Sequence, residues 1–220
     1  MTRVKLCGIT SRAECALAVR SGADAIGLLV GQIHAAADFV SPEQARELCL
    51  AVPPFVTTVL VTHVEDVDEI GRLATLVPCT AVQAHSDLSA SELRRLRGSL
   101  RPRRLIAKVS VEGEEAADRA RSLDGVADAI LLDSRDQSTD RVGGTGLVHD
   151  WSISARIVER ISSPIILAGG LNPTNVARAI STVRPWAVDV NSGVEDSSGV
   201  KNEDKVRAFV AAARSDSPWR

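Results

Sequence analysis

Short apolar runs alternate along this chain with longer stretches in which apolar residues recur every three or four positions. The runs are Val4–Cys7, Ala25–Val30, Phe55–Val61, Thr80–Gln83, Leu105–Val109, Ala129–Leu132, Pro164–Ala168 and Ala187–Val190. Each is nearly continuous rather than alternating, as parallel strands buried on both faces require. The stretches between them carry helix-start signals. Ser11-Arg12-Ala13-Glu14, Ser41-Pro42-Glu43-Gln44 and Ser89-Ala90-Ser91-Glu92 read as capping boxes, the second with proline at the first helical position. Asn172-Pro173 opens another helix in the same way, and one more begins near Asp150. Gly22 and Gly98 stand where C-terminal caps belong. Leu93, Leu96 and Leu100 form an apolar stripe, with Arg94, Arg95 and Arg97 between them.

Eight strands and about eight helices, with no linker to break the series, predict a single α/β domain over 1–220, a (β/α)8 TIM barrel near the lower end of its size range. An open doubly wound sheet is the rival. It would more often show GxGxxG after the first strand, where Cys7-Gly8-Ile9-Thr10 stands instead.

Composition narrows the function. Net charge is −2 with mixed signs, and there is no basic stripe or aromatic platform, so nucleic acid is not an expected partner. Tyrosine is absent and aromatics make up 3%, so the core must be built of Val, Ile, Leu and Ala. No apolar run is long enough to cross a membrane. Cys7, Cys15, Cys49 and Cys79 are widely spaced, without CxxC or an adjacent His pair, which argues against zinc. His34, His63 and His149 are scattered and read as solvated rather than as a metal triad. Met1-Thr2-Arg3 enters a strand at once, leaving no room for a signal peptide, so a cytoplasmic protein with reduced thiols is expected.

In such barrels chemistry sits at the C-terminal strand ends. Those ends read Cys7, Gly27 to Val30, Thr62-His63, Gln83 with His85, Lys108, Asp133, Gly169-Gly170, and Asp189-Val190-Asn191-Ser192-Gly193. The last two look like a phosphate cradle. Gly169-Gly170 precedes a helix, and Asn191-Ser192-Gly193-Val194 could start a short extra one, so backbone N–H groups can approach an anion. Asp133 ends an apolar strand and is followed by a loop, 134–149, whose Gly143-Gly144-Thr145-Gly146 run suits a lid. A carboxylate after two leucines must be solvated, paired or functional. It reads as a general acid whose pKa burial would raise. Cys7 is either an inert buried thiol or a base helped by helix N-termini aimed at the pocket. Gln83 and His85 either satisfy backbone or line the pocket, and Lys108 either reaches the pocket or snorkels outward.

Val4-Lys5-Leu6-Cys7-Gly8-Ile9-Thr10, Leu131-Leu132-Asp133-Ser134, Gly143-Gly144-Thr145-Gly146, Ala168-Gly169-Gly170-Leu171-Asn172-Pro173 and Val188-Asp189-Val190-Asn191-Ser192-Gly193-Val194-Glu195 together resemble the phosphoribosylanthranilate isomerase family, in order over almost the whole chain. The resemblance implies an Amadori rearrangement in tryptophan biosynthesis. Cys7 would be the general base, Asp133 the general acid, and no metal or organic cofactor would be needed. It also implies a phosphosugar substrate held by Gly144, Gly146, Gly169, Gly170, Asp189, Asn191, Ser192 and Gly193. The related isomerase of histidine biosynthesis carries aspartate where Cys7 stands. Three places depart from the family pattern. The 31–40 loop holds Asp38 where an arginine for the anthranilate carboxylate is expected, with His34 nearby. Val61-Thr62-His63 replaces Phe-Val-Asn, and Ala107-Lys108 replaces Lys-Ala. A one-residue shift in a strand moves a side chain to the opposite face. A relative acting on another phosphorylated sugar, or a phosphosugar-binding protein without catalysis, are the alternatives. Oligomeric state is not encoded in any feature of the pattern.

Overall fold

The structure, a computed structural model, describes residues 1–31, 37–134 and 149–215. Eight strands, β1 (Arg3–Leu6), β2 (Ala25–Leu29), β3 (Thr57–Thr62), β4 (Ala81–Ala84), β5 (Arg104–Ser110), β6 (Ala129–Asp133), β7 (Ile165–Leu167) and β8 (Ala187–Val190), pair in parallel and in chain order. β8 closes back onto β1, so the sheet is a complete barrel and has no edges left to protect. Eight helices alternate with the strands: α1 (Arg12–Ser21), α2 (Pro42–Ala51), α3 (Val67–Leu76), α4 (Ala90–Leu100), α5 (Glu115–Leu123), α6 (Trp151–Arg160), α7 (Val176–Val183) and α8 (Glu203–Ser215). A one-turn 3-10 helix, Ser192–Val194, follows β8.

The continuous apolar strands divide by the two-residue period. Val4, Leu6, Ile26, Leu28, Leu60, Val82, Leu105, Ile130, Leu132, Leu167 and Val188 face outward and pack under the helices. Leu29, Val59, Val61, Ala81, Ile106, Ala129, Leu131, Ile166 and Ala187 fill the interior as a separate cluster, which also holds Cys7. Small residues such as Ala81, Ala129 and Ala187 suit the narrow interior, whereas the larger Leu and Ile side chains dominate the wider outer layer.

Local chemistry sets the helix ends. Ser89 and Glu92 form the reciprocal capping box on α4. Ser11 and Ser41 cap their helices with their hydroxyls, but the boxes do not close. Glu14 turns instead to the Thr10 N–H and hydroxyl, and Gln44 reaches the Thr10 carbonyl. Gly22 is the left-handed C-cap of α1 (φ 91°). Gly98, by contrast, lies inside α4, whose stripe carries on to Leu100, and Arg101 follows as the cap. The α7 helix starts at Val176 rather than after Asn172. Asn172 makes a turn of its own, its Oδ1 accepting the Thr174 N–H at 2.9 Å. Phe55 lies outside β3 and is fully exposed.

Candidate active site

Counting along the inner face places the chemistry. Lys5 and Asp189 are cross-strand partners of β1 and β8, and Cys7 comes two residues after Lys5. Lys108 pairs with Leu131, and Asp133 comes two residues after Leu131. Gln83 pairs with Ile106. Because side chains alternate along a strand, Lys5, Cys7, Gln83, Lys108, Asp133 and Asp189 share the barrel interior at its C-terminal half. All six are buried.

Lys5 organises the β1 side. Its Nζ donates to Asp189 Oδ2 at 2.7 Å, and Cys7 takes part in the same contact set. Burial pushes the Lys5 pKa down, but Asp189 and Cys7 outweigh it, so the ammonium stays charged. Burial pushes the Cys7 thiol up from 9.0, and the Lys5 charge recovers only part of that. The sequence expectation that helix N-termini would activate Cys7 gives way to a neighbouring ammonium. The Lys5 signal was present two positions earlier on the same strand face, and reading the strand end alone missed it. Asp189, expected in the phosphate cradle, is instead the counter-ion of Lys5; a carboxylate in that place would repel a phosphate.

The β6 side is built on Asp133. Its Oδ1 accepts the Ser134 N–H at 2.8 Å, and its Oδ2 lies 3.2 Å from His85 Nε2. Gln83 Nε2 sits 2.9 Å from His85 Nδ1. His85 Nε2 thus faces Asp133 and donates to it. Burial raises the Asp133 pKa, but the His85 hydrogen bond and charge, the Ser134 N–H and the Lys108 ammonium outweigh burial and leave it below 3.8. The expected upward shift is therefore reversed: partners, not burial, decide. Lys108 reaches the pocket rather than snorkelling outward. Its side chain is 2% exposed, and its Nζ lies 3.3 Å from Asp87, which is 62% exposed.

His149, expected in solvent, bridges Ser134 Oγ at 3.2 Å and Ser154 Oγ at 2.7 Å, and burial lowers its pKa. His63 joins a row of rings. Its centroid lies 5.7 Å from that of Phe39 and 4.8 Å from that of His85. Among the described residues no three His, Cys, Asp or Glu side chains converge to hold a metal ion.

The β7 and β8 ends make a close-packed corner. Gly169 and Gly170 both take positive φ, 82° and 66°, and a side chain on Gly169 would meet Ser134 Oγ at 2.1 Å. A Cβ on Gly193 would lie 1.9 Å from the Leu171 carbonyl oxygen, so the two loops touch backbone to backbone. Asn191 is held on both sides: its Nδ2 donates to Asp38 at 2.9 Å, and its Oδ1 accepts from Lys201 at 2.6 Å. Asp38 thus ties the loop after β2 to the end of β8. Lys201, which the sequence reading passed over, is fully buried between Asn191 and Glu195. His34, Gly144 and Gly146, and the expected lid from 135 to 148, lie outside the described residues.

A cavity of about 550 Å³ opens at the other end of the barrel, lined by Arg3, Phe55, Arg104 and Trp186. It contains neither Cys7 nor Asp133, and the strand C-terminal end, where the titratable groups converge, is the candidate active site.

Over residues 4–212 the chain matches the profile of a family described as N-(5'phosphoribosyl)anthranilate (PRA) isomerase. It is 46% identical over 215 residues to the N-(5'-phosphoribosyl)anthranilate isomerase of Natronomonas pharaonis, covering 97% of this chain and 98% of the relative. The crystal structure of phosphoribosyl anthranilate isomerase from Thermotoga maritima superposes with a TM-score of 0.84 at 36% identity, covering 97% and 98%. A structure of such an isomerase in complex with reduced 1-(o-carboxyphenylamino)-1-deoxyribulose 5-phosphate superposes with a TM-score of 0.82 at 35% identity, with the same coverage.

Proposed function

The chain belongs to the phosphoribosylanthranilate isomerase family, and on that premise we propose how its residues divide the work of the reaction. It is an isomerase that converts N-(5-phosphoribosyl)anthranilate to its ketose-amine, a step of tryptophan biosynthesis. The small-molecule substrate carries a phosphate. In our reading the glycine corner of Gly169, Gly170, Ser192 and Gly193 surrounds that group with backbone N–H donors. This puts the ribose over the mouth, between β1 and β6.

An Amadori rearrangement needs one proton delivered and one removed. Protonation of the ribose ring oxygen opens the ring to a Schiff base. Removal of the C2 proton then gives an enolamine, which becomes the ketone. We assign the first step to Asp133 and the second to Cys7. A carboxyl with a depressed pKa is a poor proton store by itself. Its close contact with His85 Nε2, at 3.2 Å, orients the carboxyl at the mouth for that delivery. Cys7 starts as a thiol, and the Lys5 ammonium stabilises the thiolate that the reaction requires. The active form is thus the minor one with a Cys7 thiolate and a protonated Asp133.

The observation that supports this assignment is the shared inner face: the thiol and the carboxyl sit on one rim of one closed barrel, each beside a proton-handling partner. Steady-state turnover of phosphoribosylanthranilate by purified protein tests it. Cys7→Ala and Asp133→Asn should each lower kcat about a thousandfold while the fold is retained. Near-normal turnover in either variant removes that residue from the reaction. We place the reaction in the cytoplasm, where the four thiols, free in the structure, would stay reduced.

A further inference from the structure

The substrate carries a second anion, the carboxylate on its aromatic ring. This anion lies at the opposite end of the molecule from the phosphate and needs its own cation. Two buried lysines at the rim are committed elsewhere. Lys5 is bound to Asp189 beneath the reacting carbon, at 2.7 Å. Lys201 gives its hydrogens to Asn191 Oδ1, the Asn191 carbonyl and Glu195, at 2.6, 3.2 and 2.5 Å. An ammonium has three donors, so that one is used up. Asp38 offers no cation, and its carboxylate is turned to Asn191 and the end of β8.

Lys108 differs from both. It enters the interior from β5, beside β6 and Asp133 rather than in the β7–β8 glycine corner, and its stem is buried. Its partner Asp87 is 3.3 Å away and mostly in water, so the pair is weak and open to exchange. Along the same side runs the row Phe39, His63 and His85, a set of flat rings rising from the ends of β2, β3 and β4. An aromatic ring stacks on such a wall with its edge toward β5. The ring nitrogen of the substrate neighbours the ribose oxygen that Asp133 must protonate. Its ortho carboxylate therefore falls within a few ångströms of Asp133, where the Lys108 charge is already felt.

We propose that Lys108 holds the aglycone carboxylate of the substrate and, with the ring wall of Phe39, His63 and His85, sets the specificity of this isomerase. The proposal rests on the isomerase reading and names the residue that recognises the half of the substrate away from the phosphate. Lys108 here is a binding residue, not a proton donor. A β5 lysine approaches the carboxylate from the barrel wall, whereas a loop residue at position 38 would approach from above.

The test compares two substrates with the full chain: phosphoribosylanthranilate and N-(5-phosphoribosyl)aniline, which lacks the carboxylate. Wild type should favour the anthranilate compound in kcat/KM by about 10- to 100-fold, the range of one charge-assisted hydrogen bond. Lys108→Met should raise KM for the anthranilate compound by a similar factor and erase the preference; because the Lys108 charge also lowers the Asp133 pKa, any change in kcat should be the same on the two compounds. Asp87→Asn, an exposed change that frees Lys108, should lower KM for the anthranilate compound and leave the aniline compound unaffected. An unchanged KM in Lys108→Met, a loss confined to kcat, or a preference that survives the substitution would overturn the proposal while leaving the isomerase reading intact. If Lys108→Met does not fold, an Asp87→Asn enzyme that gains equally on both compounds overturns it alone. Wild type inactive on both compounds would instead sink the isomerase reading, and this proposal with it.

Discussion

Lys5 is the residue on which the β1 half of the chemistry depends. It contacts a thiol that must lose a proton and a carboxylate that must stay charged, and it is sealed from water. Burial holds the Cys7 pKa above 9.0, so the alkaline limb of kcat/KM against pH should lie above 9.0 and belong to Cys7. Lys5→Met removes the charge that lowers the thiol. The alkaline limb should then move further up and the rate near neutrality should fall. A limb that stays in place would show that Cys7 does not sense Lys5. The acid limb belongs to Asp133. His85→Asn removes the partner that lowers the Asp133 pKa most, through both its hydrogen bond and its charge, so that limb should move up. At Gly193, replacement by Ala would place a Cβ 1.9 Å from the Leu171 carbonyl. Backbone must move, and the variant should show a raised KM for the phosphorylated substrate, measured beside a product analogue lacking phosphate as control.

At the scale of elements, the barrel is held by outer helices whose stripes were written plainly in the chain. Leu93, Leu96 and Leu100 of α4 are all buried as the spacing requires. Leu96→Ala should cost about 2–5 kcal/mol in urea unfolding and leave kcat unchanged, because the site lies on the other side of the sheet. The attachment of α8 is less ordinary. Lys201 stands just before that helix, its backbone N–H on Glu14 at 3.0 Å and its ammonium on Asn191 and Glu195. Lys201→Met leaves Glu195 without its partner and should cost about 3–5 kcal/mol. A loss below about 1 kcal/mol would mean the pair acts as if exposed. Gly98 and Asn172 show where element reading failed. A glycine is tolerated mid-helix when leucines on either side keep the apolar stripe, and an Asn-Pro pair can make a turn three residues before the helix begins.

For the whole molecule, the titrating groups set a window of stability. Asp133 and Asp128 both lie below their ordinary 3.8. Burial raises each, and it is outweighed in Asp133 by His85 and in Asp128 by the Leu105 N–H with Arg104 and Arg97. Groups depressed in the fold add stability above the unfolded value and lose it as pH falls through the folded one. Cys15 and Cys49 are pushed by burial from 9.0 to about 11. Groups raised in the fold add stability below 9.0 and lose it as pH rises toward 11. The denaturation midpoint should therefore be flat from about pH 7 to 9 and fall on both sides, the acid fall beginning with His149, which burial keeps neutral in the fold while the unfolded chain takes up a proton below 6.5. A Cys15→Ala, Cys49→Ala double variant should soften the alkaline fall, and an unaltered fall would assign it to other groups.

Sequence alone determined the barrel and the order of its elements, and it picked out the two residues to which we assign proton transfer. Near-continuous apolar runs can be satisfied only between two layers, and eight of them in series, each followed by a helix, close on themselves. Tertiary structure decided which way each proton is biased and, among the described residues, which partner each buried lysine takes. Asp133 is lowered rather than raised because His85, Ser134 and Lys108 converge on it from separate strands and its own backbone. Asp189 and Asp38 are paired with Lys5 and Asn191 across the barrel closure. Such partners are separated by up to 184 positions in the chain. The electrostatics of a buried group depend on what lies within a few ångströms, and a local pattern of apolar and polar residues carries no record of that distance.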